Sequence, residues 1–314
     1  MVGCVVPLLT LGCEPRDPGV EGTASAEAEG SDGSAAAAPG PEVLDREFVF
    51  LSADADTSTT VAWLFRARPG GERVFREWAA WGARDGRWEV LLEEERVTPR
   101  AGTPWRVLPS QRVVLTVGSG DRISSIGLRD PGRSLDVELG ELLTEWTGPG
   151  GRSARLQRGG VALAAGNESG FVVEVARSWE DPGPGPGDWL LLHAGERLQL
   201  FLAEETPVGD TRSPAGYRGW SRIAGRDGQW PRVRVEWTDT RSFESARREI
   251  PVRWSLTSPG EEIVGELEAV SQHLVAGPGR GPLLPVFALY EVTGNLQVEG
   301  ERFQVRGIVN HRQR

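Results

Sequence analysis

Proton chemistry in this chain has to come from aspartate, glutamate, tyrosine or histidine, because all 35 basic residues are arginine and no lysine occurs. That excludes a Schiff-base lysine, a P-loop lysine and a lysine general base. The histidines are His193, His273 and His311, each more than 35 residues from the next. Both cysteines, Cys4 and Cys13, precede residue 14. No thiolate metal site or disulfide is therefore expected beyond residue 13, and neither a metal nor a cofactor is expected at all. Gly-x-Ser-x-Gly, His-Glu-x-x-His and Walker sequences are missing.

Within that inventory, period-two patterning selects the candidates. His311 continues the alternation Phe303, Val305, Gly307, Val309. On a barrel-lining face it would protonate or hydrogen-bond a ligand; in a frayed strand it would be solvated. Tyr290 shares a face with Val286, Ala288 and Val292, which suits either a ligand contact or a hydroxyl that fixes the backbone. Glu291 falls on the opposite face beside Phe287 and Leu289. A carboxyl there is a candidate acid or one half of a rim salt bridge. His193 follows Trp189 and Leu191 at period two, just before the Ala194-Gly195 turn, so it reads as a pocket or a turn residue. Twelve tryptophans stand against two tyrosines. Most fall on the apolar side of alternating segments and read as core, with Trp220, between Gly219 and Ser221, as the candidate ligand contact. Glu93 to Glu95 and Glu204-Glu205 are consecutive and point to opposite faces of a strand, so neither is expected to form a catalytic pair.

The elements that carry these residues read as strands. Val233, Val235 and Trp237 alternate with Arg232, Arg234 and Glu236; Val252, Trp254 and Leu256 do the same, as do Leu198, Leu200 and Leu202. Such runs, broken by Gly and Pro, are the pattern of half-buried antiparallel strands. Val74, Trp78 and Trp81, and Ile263, Leu267, Val270 and Leu274, have helical spacing. We expect strands there too, because the matching segments alternate.

The run from Glu180 to Gly187, Glu-Asp-Pro-Gly-Pro-Gly-Pro-Gly, has no strand or helix capacity and separates 43–179 from 188–314. Landmarks recur on both sides in the same order. Trp63-Leu64 answers Trp189-Leu190, and Asp85-Gly86 answers Asp227-Gly228, each read as a tight turn. Pro104-Trp105 then answers Pro251-Val252, and Glu145 to Gly148 answers Glu291 to Gly294. The expectation is one β-rich unit present twice, an all-β chain of two tandem antiparallel barrel or sandwich domains.

The stretch Tyr290-Glu291-Val292-Thr293-Gly294, followed by Glu299 to Arg302 and Val305 to Ile308, resembles the C-terminal motif of tandem lipocalin-like proteins. That group includes the AttH-type secreted proteins and the carotenoid 1,2-hydratases. The tryptophan of the family's Tyr-Trp-Glu-Gly segment is replaced here. The resemblance implies two lipocalin-like domains with an apolar pocket, and acid-catalysed hydration or rearrangement of hydrophobic, polyene or terpenoid-like substrates.

At the other end, Leu9-Thr10-Leu11-Gly12-Cys13 resembles a bacterial lipobox, which implies lipidation of Cys13. The apolar stretch is shorter than a full signal peptide, so residues upstream are expected. Residues 14–42 carry seven acids and one arginine among Ala, Gly, Ser and Pro, as a disordered tether would. They hold −6 of the net −10, leaving about −4 elsewhere, with no basic field for nucleic acid. The expected address is the cell envelope, at the periplasmic face or outer membrane, with only the lipid anchor touching the bilayer. The leading functional expectation is a lipocalin-like protein binding a small hydrophobic molecule. Alternatives are a hydratase, isomerase or hydrolase on such a substrate, or a structural envelope lipoprotein.

Overall fold

The structure, a computed structural model, describes residues 42–53, 59–100, 106–119, 122–148, 152–163, 166–180, 187–205 and 216–313. Cys13, the expected tether up to residue 41, and residues 181–186 of the expected linker lie outside them. Pro39–Arg314 form one compact unit.

Strands dominate, as the alternation dictates. The first nine are β1 (Glu42–Ser52), β2 (Thr59–Gly70), β3 (Arg73–Arg84), β4 (Arg87–Pro99), β5 (Val113–Val117), β6 (Ile123–Asp130), β7 (Arg133–Thr147), β8 (Ser153–Leu163) and β9 (Gly166–Glu180). They form one antiparallel sheet in the order β4-β3-β2-β1-β9-β8-β7-β6-β5, curled into a half-barrel with β4 and β5 as its edges. The next eight are β10 (Trp189–His193), β11 (Leu198–Glu205), β12 (Gly216–Ile223), β13 (Arg226–Phe243), β14 (Arg248–Thr257), β15 (Ile263–Ala276), β16 (Val286–Val298) and β17 (Glu301–Gln313). They close into a barrel in chain order, with β17 returning to β10 so that Trp189 faces Asn310. Both stretches with helical spacing are strands, β3 and β15. Neither spacing places an isolated helix on a face that needs one, whereas cross-strand partners stand on both sides.

The two sheets share a meander in which the first strand pairs the second and the last. At that closure a glycine is required in each. A Cβ on Gly170 of β9 would stand 2.0 Å from the Leu51 carbonyl oxygen of β1, and one on Gly307 of β17 would stand 1.9 Å from that of Leu191 on β10. These equivalent glycines mark the correspondence better than the sequence landmarks do. Trp63 lies on β2 while Trp189 lies on β10, the counterpart of β1. Asp85-Gly86 is the β3–β4 turn with both φ positive, but its counterpart turns at Ala224-Gly225. Asp227-Gly228 sits inside β13, where Gly228 leaves room for the Trp230 ring, 3.1 Å from where its Cβ would be.

Alternation sorts the apolar side chains into three cores. One fills the barrel, around Leu190, Leu200, Trp254, Tyr290 and Phe303. One lines the half-barrel, around Phe48, Trp63, Trp78 and Val172. The third lies between the two sheets, where Trp81, Trp146, Phe171 and Val173 meet Trp189, Phe201, Trp220 and Ile308. Burial on both faces explains the unbroken apolar runs Phe48 to Leu51 in β1, Phe171 to Val173 in β9 and Trp189 to Leu192 in β10.

Candidate functional site

The lumen-facing positions of β17 run Phe303, Val305, Gly307, Val309 and His311, and those of β10 run Leu192, Leu190 and then Asp188, just before the strand. Because Trp189 faces Asn310, closure sets Asp188 across from His311. Asp188 Oδ2 lies 2.6 Å from His311 Nδ1, and its Oδ1 accepts the Arg312 backbone N–H at 2.8 Å. Tyr217 adds a long hydroxyl contact to Asp188 of 3.5 Å. The aspartate thus grips one ring nitrogen and leaves the other, Nε2, to face elsewhere. His311 is 2% exposed, and Nε2 has no hydrogen-bond partner among the described residues.

Tyr290 completes the group from β16. Its ring centroid lies 6.4 Å from that of His311 and it stands edge-on to Trp254 at 5.3 Å. Its buried hydroxyl also lacks a partner among the described residues. Burial, then the Asp188 charge, push the Tyr290 pKa up, with Arg241 opposing. The phenol therefore stays protonated and remains a donor. Trp237 of β13 stands edge-on to His311 at 5.3 Å and is 43% exposed, so one aromatic ring spans from the histidine to solvent. Two buried polar atoms without partners, in an aromatic setting under one exposed ring, are costly unless a water or ligand meets them.

The remaining sequence candidates lie elsewhere. Glu291 is on the outer face of β16, between the sheets, where it accepts from the Thr60 hydroxyl at 2.7 Å and from Ser271. It shares no site with His311. His193 also faces the inter-sheet core, 5.3 Å from the Phe171 ring, with Nδ1 accepting the Gly195 N–H at 3.3 Å. Burial, then Arg306, lower its pKa to about 4. Trp220 is buried in the same core, stacked on Trp146 at 6.2 Å and tilted against Phe201 at 5.9 Å. Among the described residues no three His, Cys, Asp or Glu side chains gather as a metal ion would need. Asp188 was missed in the sequence. Its signal was an acid two residues before Leu190 on an apolar strand face, meaningful only once β10 is known to pair with β17.

A second polar cluster joins the sheets. Glu47 of β1 accepts from Trp189 Nε1 at 2.7 Å, from Asn310 at 2.9 Å, and from Arg177 and Arg312. Burial would raise the pKa of neighbouring Asp45, but Arg66 and Arg312 hold it below its ordinary value. Burial pushes the Arg177 guanidinium down to about 10 against the pull of Glu47. With each acid matched by arginines, this cluster reads as an interface lock.

Several solved structures share the fold. A candidate AttH from Nitrosomonas europaea superposes with a TM-score of 0.60 at 10% identity, covering 90% of this chain and 98% of that one. Kievitone hydratase from Nectria haematococca gives 0.54 at 11% identity, over 86% and 88% of the two chains. CghA with Sch210972 gives 0.52 at 15% identity, again over 86% and 88%. The chain thus has the tandem lipocalin-like, all-β fold of the AttH and hydratase-type proteins. No protein-family model matches the sequence, and no curated protein matches it.

Proposed function

We propose that the chain is a lipocalin-like enzyme that hydrates, dehydrates or isomerises a small, mainly apolar molecule at the barrel end. The observation that carries this reading is the Asp188–His311 pair, with Nδ1 held at 2.6 Å while Nε2 and the Tyr290 hydroxyl are buried without partners among the described residues. With Nδ1–H donating to the carboxylate, Nε2 holds its lone pair ready as a base. For a double bond conjugated to a carbonyl, His311 takes a proton from water as the water oxygen bonds to the β-carbon. The π electrons shift to the carbonyl oxygen, which the Tyr290 O–H stabilises. The imidazolium then returns its proton to the α-carbon, so the net change is addition of one water. Abstraction and return of a proton at different carbons would give isomerisation with the same residues. One solved neighbour is named a hydratase, which is consistent with this class and supplies no residue roles.

The second reading is binding without turnover, in which the same two atoms hydrogen-bond a held ligand. A lipid anchor at Cys13 and an envelope address stay part of the proposal, resting on the lipobox-like sequence alone. The two readings separate in an assay of polyenes, terpenoid alkenes, enones and the corresponding alcohols, incubated in ¹⁸O-water and followed by mass and chromatographic retention. The enzyme reading expects from wild type an ¹⁸O-labelled hydrate, a dehydrated product or an isomer of unchanged mass and shifted retention, loss of at least a hundredfold in rate in His311→Gln, and a smaller loss in Tyr290→Phe. Retained rate in His311→Gln overturns it; a bound but unchanged compound favours the second reading.

A further inference from the structure

A cation stands beside the barrel-end group of Asp188, His311 and Tyr290, and the pairing of β13 with β14 puts it there. Trp237 of β13 pairs with Trp254, and Arg241, beyond an irregular stretch at Asp239, pairs with Ile250. Trp254 and Ile250 both belong to the barrel core, and directly opposed residues of an antiparallel pair share a face. Phe243, two residues further along β13, packs on the same core. Arg241 therefore lies on the lumen side of β13, at the exposed rim beyond Trp237. Among the described residues its guanidinium makes no ion pair and no hydrogen bond. Its charge is felt at the Tyr290 hydroxyl, where it opposes the effect of Asp188. From β15 the residue opposed to Tyr290 is Gln272, which is uncharged.

Charge decides which reactions such a site favours. In the resting site the Asp188 carboxylate outweighs Arg241 at the Tyr290 hydroxyl. That order reverses when His311 takes a proton at Nε2. Nδ1 of the imidazolium lies 2.6 Å from Asp188 Oδ2, so the two charges largely cancel for anything further away. Arg241 is then the uncompensated charge. It stabilises an anion that forms beside Tyr290 and opposes a cation formed in the same place. Adding water to a conjugated carbonyl puts negative charge on the carbonyl oxygen while His311 gains the proton. Protonating an isolated alkene puts positive charge on carbon instead. One rim arginine helps the first path and hinders the second.

We propose that Arg241 joins the Tyr290 hydroxyl as the partner of the substrate oxygen that gains charge. The barrel-end site then takes carbonyl-conjugated alkenes, or the β-hydroxycarbonyl compounds formed from them, in preference to isolated alkenes. This rests on the acid–base reading of Asp188 and His311. Tyr290 supplies the hydrogen bond and Arg241 the charge. Because Arg241 is exposed, solvent screens part of its field, so its effect is about tenfold and smaller than that of a buried oxyanion donor. An isolated alkene offers Tyr290 no acceptor and meets an unfavourable charge at the rim.

The test uses the full chain and, first, a probe that needs no turnover. Para-nitrophenol gives its proton to His311 Nε2, and the phenolate oxygen that remains stands in for the enolate. Its ionised and neutral forms differ in visible absorbance. At the pH where the free probe is half ionised, the bound probe should be mainly phenolate in wild type. Arg241→Gln should lower the bound ratio of phenolate to phenol about tenfold, and Arg241→Lys should restore most of it. Both variants should unfold at the wild-type temperature, because the side chain is exposed and unbonded. The second arm compares carvone with limonene in ¹⁸O-water, since they share a carbon skeleton and differ in the conjugated carbonyl. Carvone should be hydrated and limonene not, and Arg241→Gln should slow carvone about tenfold. A probe that fails to bind, a bound probe no more ionised than the free one, a wild-type ratio in Arg241→Gln, or limonene hydrated as fast as carvone each overturns the proposal; His311-dependent turnover in any of these cases leaves the acid–base reading standing. Turnover of neither compound, beside a phenolate lost in Arg241→Gln, fails the acid–base reading and keeps Arg241 as the anion partner of Tyr290.

Discussion

His193 and His311 lie on strands that pair with each other, are equally buried, and face opposite sides of the barrel wall. Only His311 has a carboxylate on one ring nitrogen and an unmet nitrogen on the other. His193 instead pays a solvation cost that should be visible in stability. Its pKa is lowered to about 4, mainly by burial and then by Arg306, against about 6.5 in an unfolded chain. Between those values the unfolded state binds the proton and the folded state does not. Stability from this group is therefore complete above about pH 6.5, falls as pH drops towards 4, and levels off below. The span is about 3 kcal/mol. Thermal unfolding followed across pH 4–7 should show that slope, and His193→Gln should flatten it; an unchanged slope would refute the assignment. In the sequence both histidines continued an apolar alternation, and that much was legible. Which side of the wall each faces was not, because Trp189 and Leu191 are buried just as Leu190 and Leu192 are. Period two finds faces, and it cannot tell a lumen from an interface when both are dry.

At the scale of strands, the half-barrel differs from the barrel in having a seam. Its edges β4 and β5 are consecutive in the chain yet do not pair. Arg112 spans the gap, donating to the Leu91 carbonyl of β4 at 3.0 Å and to Asp130 at the end of β6 at 2.9 Å. The acidic run Glu93 to Glu95, with Glu94 paired to Arg96 at 2.8 Å, charges the β4 edge as an unpaired edge requires. Arg112→Ala should cost about 1–2 kcal/mol and lower amide hydrogen-exchange protection in β4 and β5 while leaving β10 and β17 unchanged. Uniform loss of protection would show that the seam is not a local unit. Most strands were legible from their own alternation, and the two with helical spacing only through the matching segments that alternate. The closed barrel and open half-barrel were not distinguishable, since β10–β17 pairing joins residues 121 positions apart, Trp189 to Asn310, and no local pattern encodes it. The Asp227-Gly228 turn was misread for a related reason, as Gly228 serves the Trp230 ring instead of the bend.

Across the whole molecule the two sheets act as one body, because each lends its outer face to a shared core. Glu47 is the polar centre of that junction, taking bonds from Arg177 in its own sheet and from Trp189, Asn310 and Arg312 in the barrel. Glu47→Ala leaves buried arginines uncompensated and should destabilise by about 3–5 kcal/mol. Calorimetry should show one transition before and after the change; two separated transitions would mean that the sheets unfold independently.

The closure of β17 on β10 also sets an order of events during synthesis. β10 leaves the ribosome ahead of both its neighbours: β11 follows directly, whereas β17 is roughly 6–24 s of translation away. Until β17 emerges, the lumen is open to solvent along its whole height and the outer face of β10 lacks Ile308 beside it. His311 for the acid–base pair, and Asn310 and Arg312 for Glu47, all arrive on that one strand. The acid–base pair and the completed Glu47 cluster are therefore born together, and a nascent chain paused before β17 has neither.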